Sequence, residues 1–103
     1  MPLKAELSRH CQADLQQTFD FYELRKSGLG LEFILDFEAF TTTVSTHPEI
    51  GVRTYNGLRK FVLTRFPYVA YYAITDDRVQ VVACLYGGQK PQEIADALKE
   101  RKE

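Results

Sequence analysis

The sequence predicts an α+β fold: an N-terminal strand, a two-helix antiparallel hairpin, an antiparallel β-meander of three or four strands and a short C-terminal helix. Three observations carry this. Between residues 9 and 46 apolar side chains recur every three or four positions, the helical period. After Pro48 the pattern changes to short runs rich in Val, Tyr, Phe and Ile, the composition of strands. The breaks between runs are only a few residues long, so neighbouring segments must be antiparallel.

Each element has its own local reason. "LKAELS" at 3–8 alternates apolar and polar residues, as a half-buried strand does, and Ser8 suits the N-cap of a helix beginning at residue 9. Cys11, Leu15, Phe19 and Tyr22 form one face of that helix over residues 9–27, and Gly28 is its stop. Phe33, Phe37, Phe40 and Val44, widened by Leu31, Ile34 and Leu35, form the stripe of a second helix over residues 30–46. That helix ends at His47-Pro48, because a residue before proline disfavours the helical region. "VRTYN" at 52–56 starts a strand that is interrupted near Gly57. "LRKFVLTR", "YVAYYAI" and "RVQVVACLY" read as three strands joined at Phe66-Pro67 and at Asp76-Asp77. "GGQKP" breaks the last strand, and "QEIADALKERKE" continues as a helix that Ile94 and Leu98 would dock.

Two-residue turns at both connections fix which side chains share a face. Ile74 then opposes Val79, Tyr72 opposes Val81, Ala70 opposes Ala83, Leu63 opposes Ala70 and Phe61 opposes Tyr72, all on the face that meets the helices. The other face carries Lys60, Val62, Val69, Tyr71, Arg78, Val82, Cys84 and Tyr86. Val62, Val69, Tyr71, Val82 and Tyr86 are the candidate partner-binding residues, since Val62, Val69, Tyr71 and Val82 would be wet on this face of a monomer and call for a cover. That cover is either a partner segment or the protein's own C-terminal tail. Tyr72 and Tyr68 thus read as core, and Tyr71 as partner contact or surface chemistry.

Composition narrows the function. The chain of 103 residues has a formal net charge of −1 and a sequence pI near 6.1, and it fits a single domain over residues 1–103. Residues 49–90 are its only cationic block, with six basic and three acidic side chains. Cys11 and Cys84 read as free thiols of a cytoplasmic protein, because "MPLKAELSRHCQ" carries charges where an apolar secretion segment would lie. His10 and His47 cluster with no other ligand type, so neither metal nor cofactor is expected. "GLG" at 28–30 lacks the strand and the further glycine of a nucleotide fingerprint and reads as the hairpin turn. What remains for chemistry is Lys60, Arg65, Tyr71, Arg78 and Tyr86 around one sheet. Basic residues with tyrosines can hold an RNA phosphate and move a proton, or they can be solubilising charges beside structural aromatics.

"GLRKFVLTRFPYVAYYAITDDRVQVVACLYGGQKP" resembles the RelE/ParE superfamily of type II toxin–antitoxin toxins, also called plasmid stabilisation proteins. Gly57 and Arg59 match the family's Gly-x-Arg, "RFPY" at 65–68 matches its Arg-Phe-Pro-Tyr, and Pro91 matches its terminal proline. "ADL" at 13–15, "YELRKSGLGLEF" and "HPEI" fit the front half. The resemblance implies a toxin held in check by a cognate antitoxin whose tail wraps it. RelE-like members cut mRNA on the ribosome; ParE-like members inhibit DNA gyrase. Tyr86 stands where the family often has His, and Gly88 and Gln89 stand where basic residues are common, leaving Lys90 as the one charge just before Pro91. A chain this far from basic is poorly suited to the ribosome, so the ParE-like branch and gyrase are the expectation. A ribosome-dependent endoribonuclease and a degenerate, non-toxic binding member are the alternatives. The expected assembly is a homodimer or a hetero-oligomer with antitoxin, without membrane contact.

Overall fold

The two hydrophobic periods become two layers. The structure, a computed structural model, describes residues 2–101. In chain order it has β1 (Lys4–Leu7), α1 (Arg9–Arg25), α2 (Leu29–Thr46), β2 (Val52–Arg53), β3 (Arg59–Val62), β4 (Tyr68–Ile74), β5 (Arg78–Tyr86) and α3 (Pro91–Lys99). Single 3-10 turns lie at Pro48–Ile50 and Tyr55–Gly57. Lys102 and Glu103, the end of the expected helical tail, lie outside the described residues.

Local chemistry sets the boundaries. The Ser8 hydroxyl accepts from the Cys11 N–H at 3.1 Å and caps α1. Gly28 sits at φ 89°, a left-handed conformation that glycine adopts without strain. The Glu23 carboxylate then accepts from the N–H groups of Gly28 at 2.9 Å and Gly30 at 3.0 Å, satisfying donors at the start of α2. A Cβ on Gly30 would lie 2.8 Å from Phe19, so the bare glycine lets the two helices close on each other.

The strand order is β1-β5-β4-β3-β2. The helix hairpin carries the chain from one edge of the sheet to the other, and the meander runs back until β5 meets β1 in parallel. The sheet is therefore mixed and not wholly antiparallel. The hairpin at Asp76-Asp77 has the expected register, with Tyr72 opposite Val81 and Ile74 opposite Val79.

Two registers differ from those the turns implied. Between β3 and β4 the pairing is displaced by two residues, with Phe61 opposite Ala70 and Arg59 opposite Tyr72. The Phe66-Pro67 turn is wider because one oxygen of Asp36, on the inner side of α2, accepts from the N–H of Arg65 and of Phe66, each at 2.9 Å. A slip of two keeps the faces, so Phe61 and Leu63 still join the core. In β5 a bulge at Val82 puts Ala70 opposite Cys84 and Tyr71 opposite Ala83. The extra residue reverses the alternation beyond it. Cys84 turns into the helix-side core, and Tyr86 packs against Tyr68 with ring centroids 5.7 Å apart. Both were expected on the other face.

Under α1 and α2, the main core gathers Cys11, Phe33, Phe40, Val44, Tyr72 and Val81. A second, smaller core on the outer face joins Tyr71, Val82 and Ala83 to Leu98, with Ile94 packed beside them. The cover of the outer face is thus the protein's own α3. Val82 is 1% exposed and Tyr71 5%, which corrects the expectation that they stand in water.

Candidate functional site

The five residues with chemical potential are not brought together. Lys60 is exposed on the outer side of β3. Arg65 lies in the loop before β4, paired with Glu32 of α2 at 3.0 Å. Arg78 stands at the far turn, bonded to Glu6 at 2.7 Å and Asp77 at 3.1 Å, which raises its pKa further and uses its donors. Tyr71 is buried beneath α3, and burial raises its pKa, so it is a poor proton acceptor at neutral pH. Tyr86 is on the opposite side of the sheet from Tyr71.

The candidate partner surface is also divided. Val62 is 64% exposed and Val69 half-buried, both on the outer face. Tyr71 and Val82 are covered, and Tyr86 has moved to the helix side. There it lines, with Phe21, Tyr68 and Gln89, an open groove of about 430 Å³ between α1 and α3. Neither thiol offers a nucleophile. Both cysteines are free and buried, and burial pushes Cys11 up to about 12 and Cys84 higher still. Among the described residues no group of His, Cys, Asp and Glu could hold a metal ion.

A dense and nearly buried polar cluster is structural, and sequence patterns did not single it out. The Asp14 carboxylate pairs with the Arg101 guanidinium through two bonds, at 2.6 and 3.0 Å, both side chains nearly buried. The same carboxylate accepts from the Cys84 N–H at 3.0 Å. Arg101 and Ser8 both donate to the Val82 carbonyl, at 3.1 and 3.4 Å. A bulge leaves main-chain groups without a strand partner, and these three side chains supply them. The readable signal was a carboxylate on an apolar helix face: Asp14 between Cys11 and Leu15, and Asp36 between Phe33 and Phe37.

A two-layer fold with dispersed charges, and with no assembled nucleophile or metal cluster among the described residues, has known relatives. The sequence profile described as "ParE toxin of type II toxin-antitoxin system, parDE" matches residues 5–91. The chain belongs to the ParE toxin family. Among solved structures it is similar to "Chromosomal ParDE TA system from P. aeruginosa", at 18% identity and a TM-score of 0.73, over 82% of this chain and 95% of that one. At that identity the likeness speaks for the fold alone. No curated protein matches the sequence. The matched span runs from β1 to the first residue of α3, so both the helix hairpin and the meander of this ParE toxin are family features.

Proposed function

We propose that this ParE toxin acts by binding DNA gyrase and not by cutting RNA, and that a cognate antitoxin neutralises it in a hetero-oligomer. The observation that supports a binding mode is the dispersal of Lys60, Arg65, Tyr71, Arg78 and Tyr86 over separate parts of the fold. General acid–base cleavage of a phosphodiester needs a base, an acid and cationic groups within hydrogen-bond reach of one phosphate. Here the tyrosines lie on opposite faces, and two of the three cations are committed to carboxylates. The mildly acidic chain adds to this, since ribosomal RNA rewards net positive charge. A cytoplasmic role in stabilising the replicon that carries the toxin–antitoxin pair is consistent with two unpaired thiols. No described helix is long and apolar enough to cross a membrane.

A gyrase supercoiling assay with purified toxin, alone and preincubated with antitoxin, tests the reading. Inhibition by toxin alone and its relief by antitoxin are the expected results. Cuts in ribosome-bound mRNA by toeprinting, with gyrase unaffected, would transfer the protein to the endoribonuclease reading.

A further inference from the structure

The cover on the outer face is only one helix wide. Helix α3 sits over β4 and β5, where Ile94 and Leu98 meet Tyr71, Val82 and Ala83. Leu58, just before β3, packs against the edge of this core, and beyond it the outer side of β3 and β2 is exposed at Val52, Lys60 and Val62. Val62 extends the row of Val69 and Leu85, and Lys60 and Val52 extend the row of Tyr71 and Ala83. Val52 and Val62 are each 64% exposed. Strands are spaced about 4.8 Å apart and packed helices about 8–10 Å apart, so a helix laid beside α3 would be centred over β3 and β2.

The flank that α3 turns to this strip can be read from its other sides. Ile94 and Leu98 point at the sheet, and Ala97 and Arg101 line the groove toward α1. At about 100° per residue, Ala95 and Lys99 then occupy the opposite flank, toward β3. Ala95 is small enough for close approach by a second helix. Lys60 lies within the strip, between Val52 and Tyr71 in its row, and among the described residues neither it nor Lys99 meets a carboxylate within ion-pair distance.

Main-chain geometry leaves the same strip open at its edge. The Leu63 N–H donates to the Tyr68 carbonyl at 2.9 Å, so Val62 directs its own N–H and C=O away from β4. Strand β2 pairs only as far as Val52 opposite Lys60 and stops short of Val62.

We propose that the strip of Val52, Val62 and Val69, with Lys60 set among them and Lys99 on the neighbouring flank of α3, is the seat of an acidic amphipathic helix from the antitoxin, lying alongside α3. The partner would place small or branched apolar side chains on the valines and Asp or Glu side chains over the two lysines. This rests on the antitoxin reading above and gives it a location. It also replaces Tyr71, Val82 and Tyr86 as the contact set, because α3 already occupies the first two and the bulge removes the third.

Calorimetric titration of the toxin with the antitoxin of its own parDE pair tests it. Val62→Glu is expected to bind at least about tenfold more weakly, from a carboxylate set among apolar groups and beside acidic residues. Lys60→Glu is expected to weaken binding more at low salt than at high salt. Leu24→Glu, on α1 across the sheet and 88% exposed against 64% for Val62, serves as the control and should bind as wild type. Urea unfolding of each variant separates a folding defect from a binding one. Hydrogen exchange of the wild-type complex should show protection at residues 60–62. Wild-type affinity in both Val62→Glu and Lys60→Glu overturns the seat while leaving the antitoxin reading intact. A wild-type toxin that forms no complex at all overturns that reading, and the seat with it.

Discussion

The two faces of the sheet bury similar side chains under covers of very different size. On the helix face α1 and α2 bring seventeen and eighteen residues, and Phe33, Phe40, Val44 and Tyr72 are fully buried between them and the strands. On the outer face α3 brings nine residues, of which Leu98 is buried and Ile94 partly so. A helix of nine residues is too short to be stable alone in water. Its apolar contact is small, so a bidentate ion pair at its C-terminal end and an ordered bulge beneath it hold it in place. Where apolar area is ample, packing alone fixes the layer. Where it is scarce, polar geometry has to specify the position.

The largest losses of stability are expected on the helix face. Phe40→Ala should cost about 3–5 kcal/mol of stability, as a large aromatic is removed from a closed core that Phe37, Phe61 and Tyr72 share. Urea unfolding measures it, and a loss under about 1 kcal/mol would mean that this core repacks freely. Next comes Arg101→Ala, expected to cost about 3 kcal/mol because it strands a nearly buried carboxylate and frees the Val82 carbonyl. Its signature is local. Amides around Val82 and Ala83 should exchange faster while those of α2 do not, and Asp14→Asn combined with Arg101→Ala should cost clearly less than the sum of the two.

Smaller effects are expected at two adjacent tyrosines, one facing each side of the sheet. The Tyr72 hydroxyl donates to the Pro48 carbonyl at 2.7 Å and accepts from the Gly51 N–H at 2.9 Å, so Tyr72→Phe should cost about 1–2 kcal/mol. Tyr71, with no such bonds, should tolerate Phe within about 0.5 kcal/mol and keep full toxicity, a result that also separates binding from tyrosine catalysis. A pH titration reads the helix face again. Burial raises Cys11 from 9.0 in the unfolded chain to about 12. The folded state holds the neutral thiol, so its full stability contribution is present below pH 9. That contribution is lost as the pH rises from 9 toward 12, by roughly 1.4 kcal/mol per unit for this thiol. Denaturant midpoints from pH 8 to 10.5 should fall less steeply in Cys11→Ala than in the wild type.

Much of this architecture is written in short-range patterns. The spacing of Phe33, Phe37, Phe40 and Val44 determines α2, Ser8 and Pro48 determine where helices start and stop, and Asp76-Asp77 determines one hairpin and its register. The family motif around "RFPY" identifies the toxin fold because it combines a turn with two strand patterns. Such features depend on neighbours three or four residues away, and the sequence displays those neighbours directly. The bulge at Val82 does not announce itself in "RVQVVACLY", since every residue there suits a regular strand. It exists because Asp14, sixty-eight positions earlier in sequence, Ser8 and Arg101 converge on the groups it leaves unpaired. That one extra residue causes the inward turn of Cys84, the move of Tyr86 to the helix side and the outward turn of Ala83 under α3. The wider loop at Phe66-Pro67 has the same origin, in a carboxylate of α2. Sequence alone specified the elements, the helix-covered face of the sheet and the family. Tertiary structure decided which face each residue of β5 presents, because that depends on hydrogen bonds between segments that only the fold brings together.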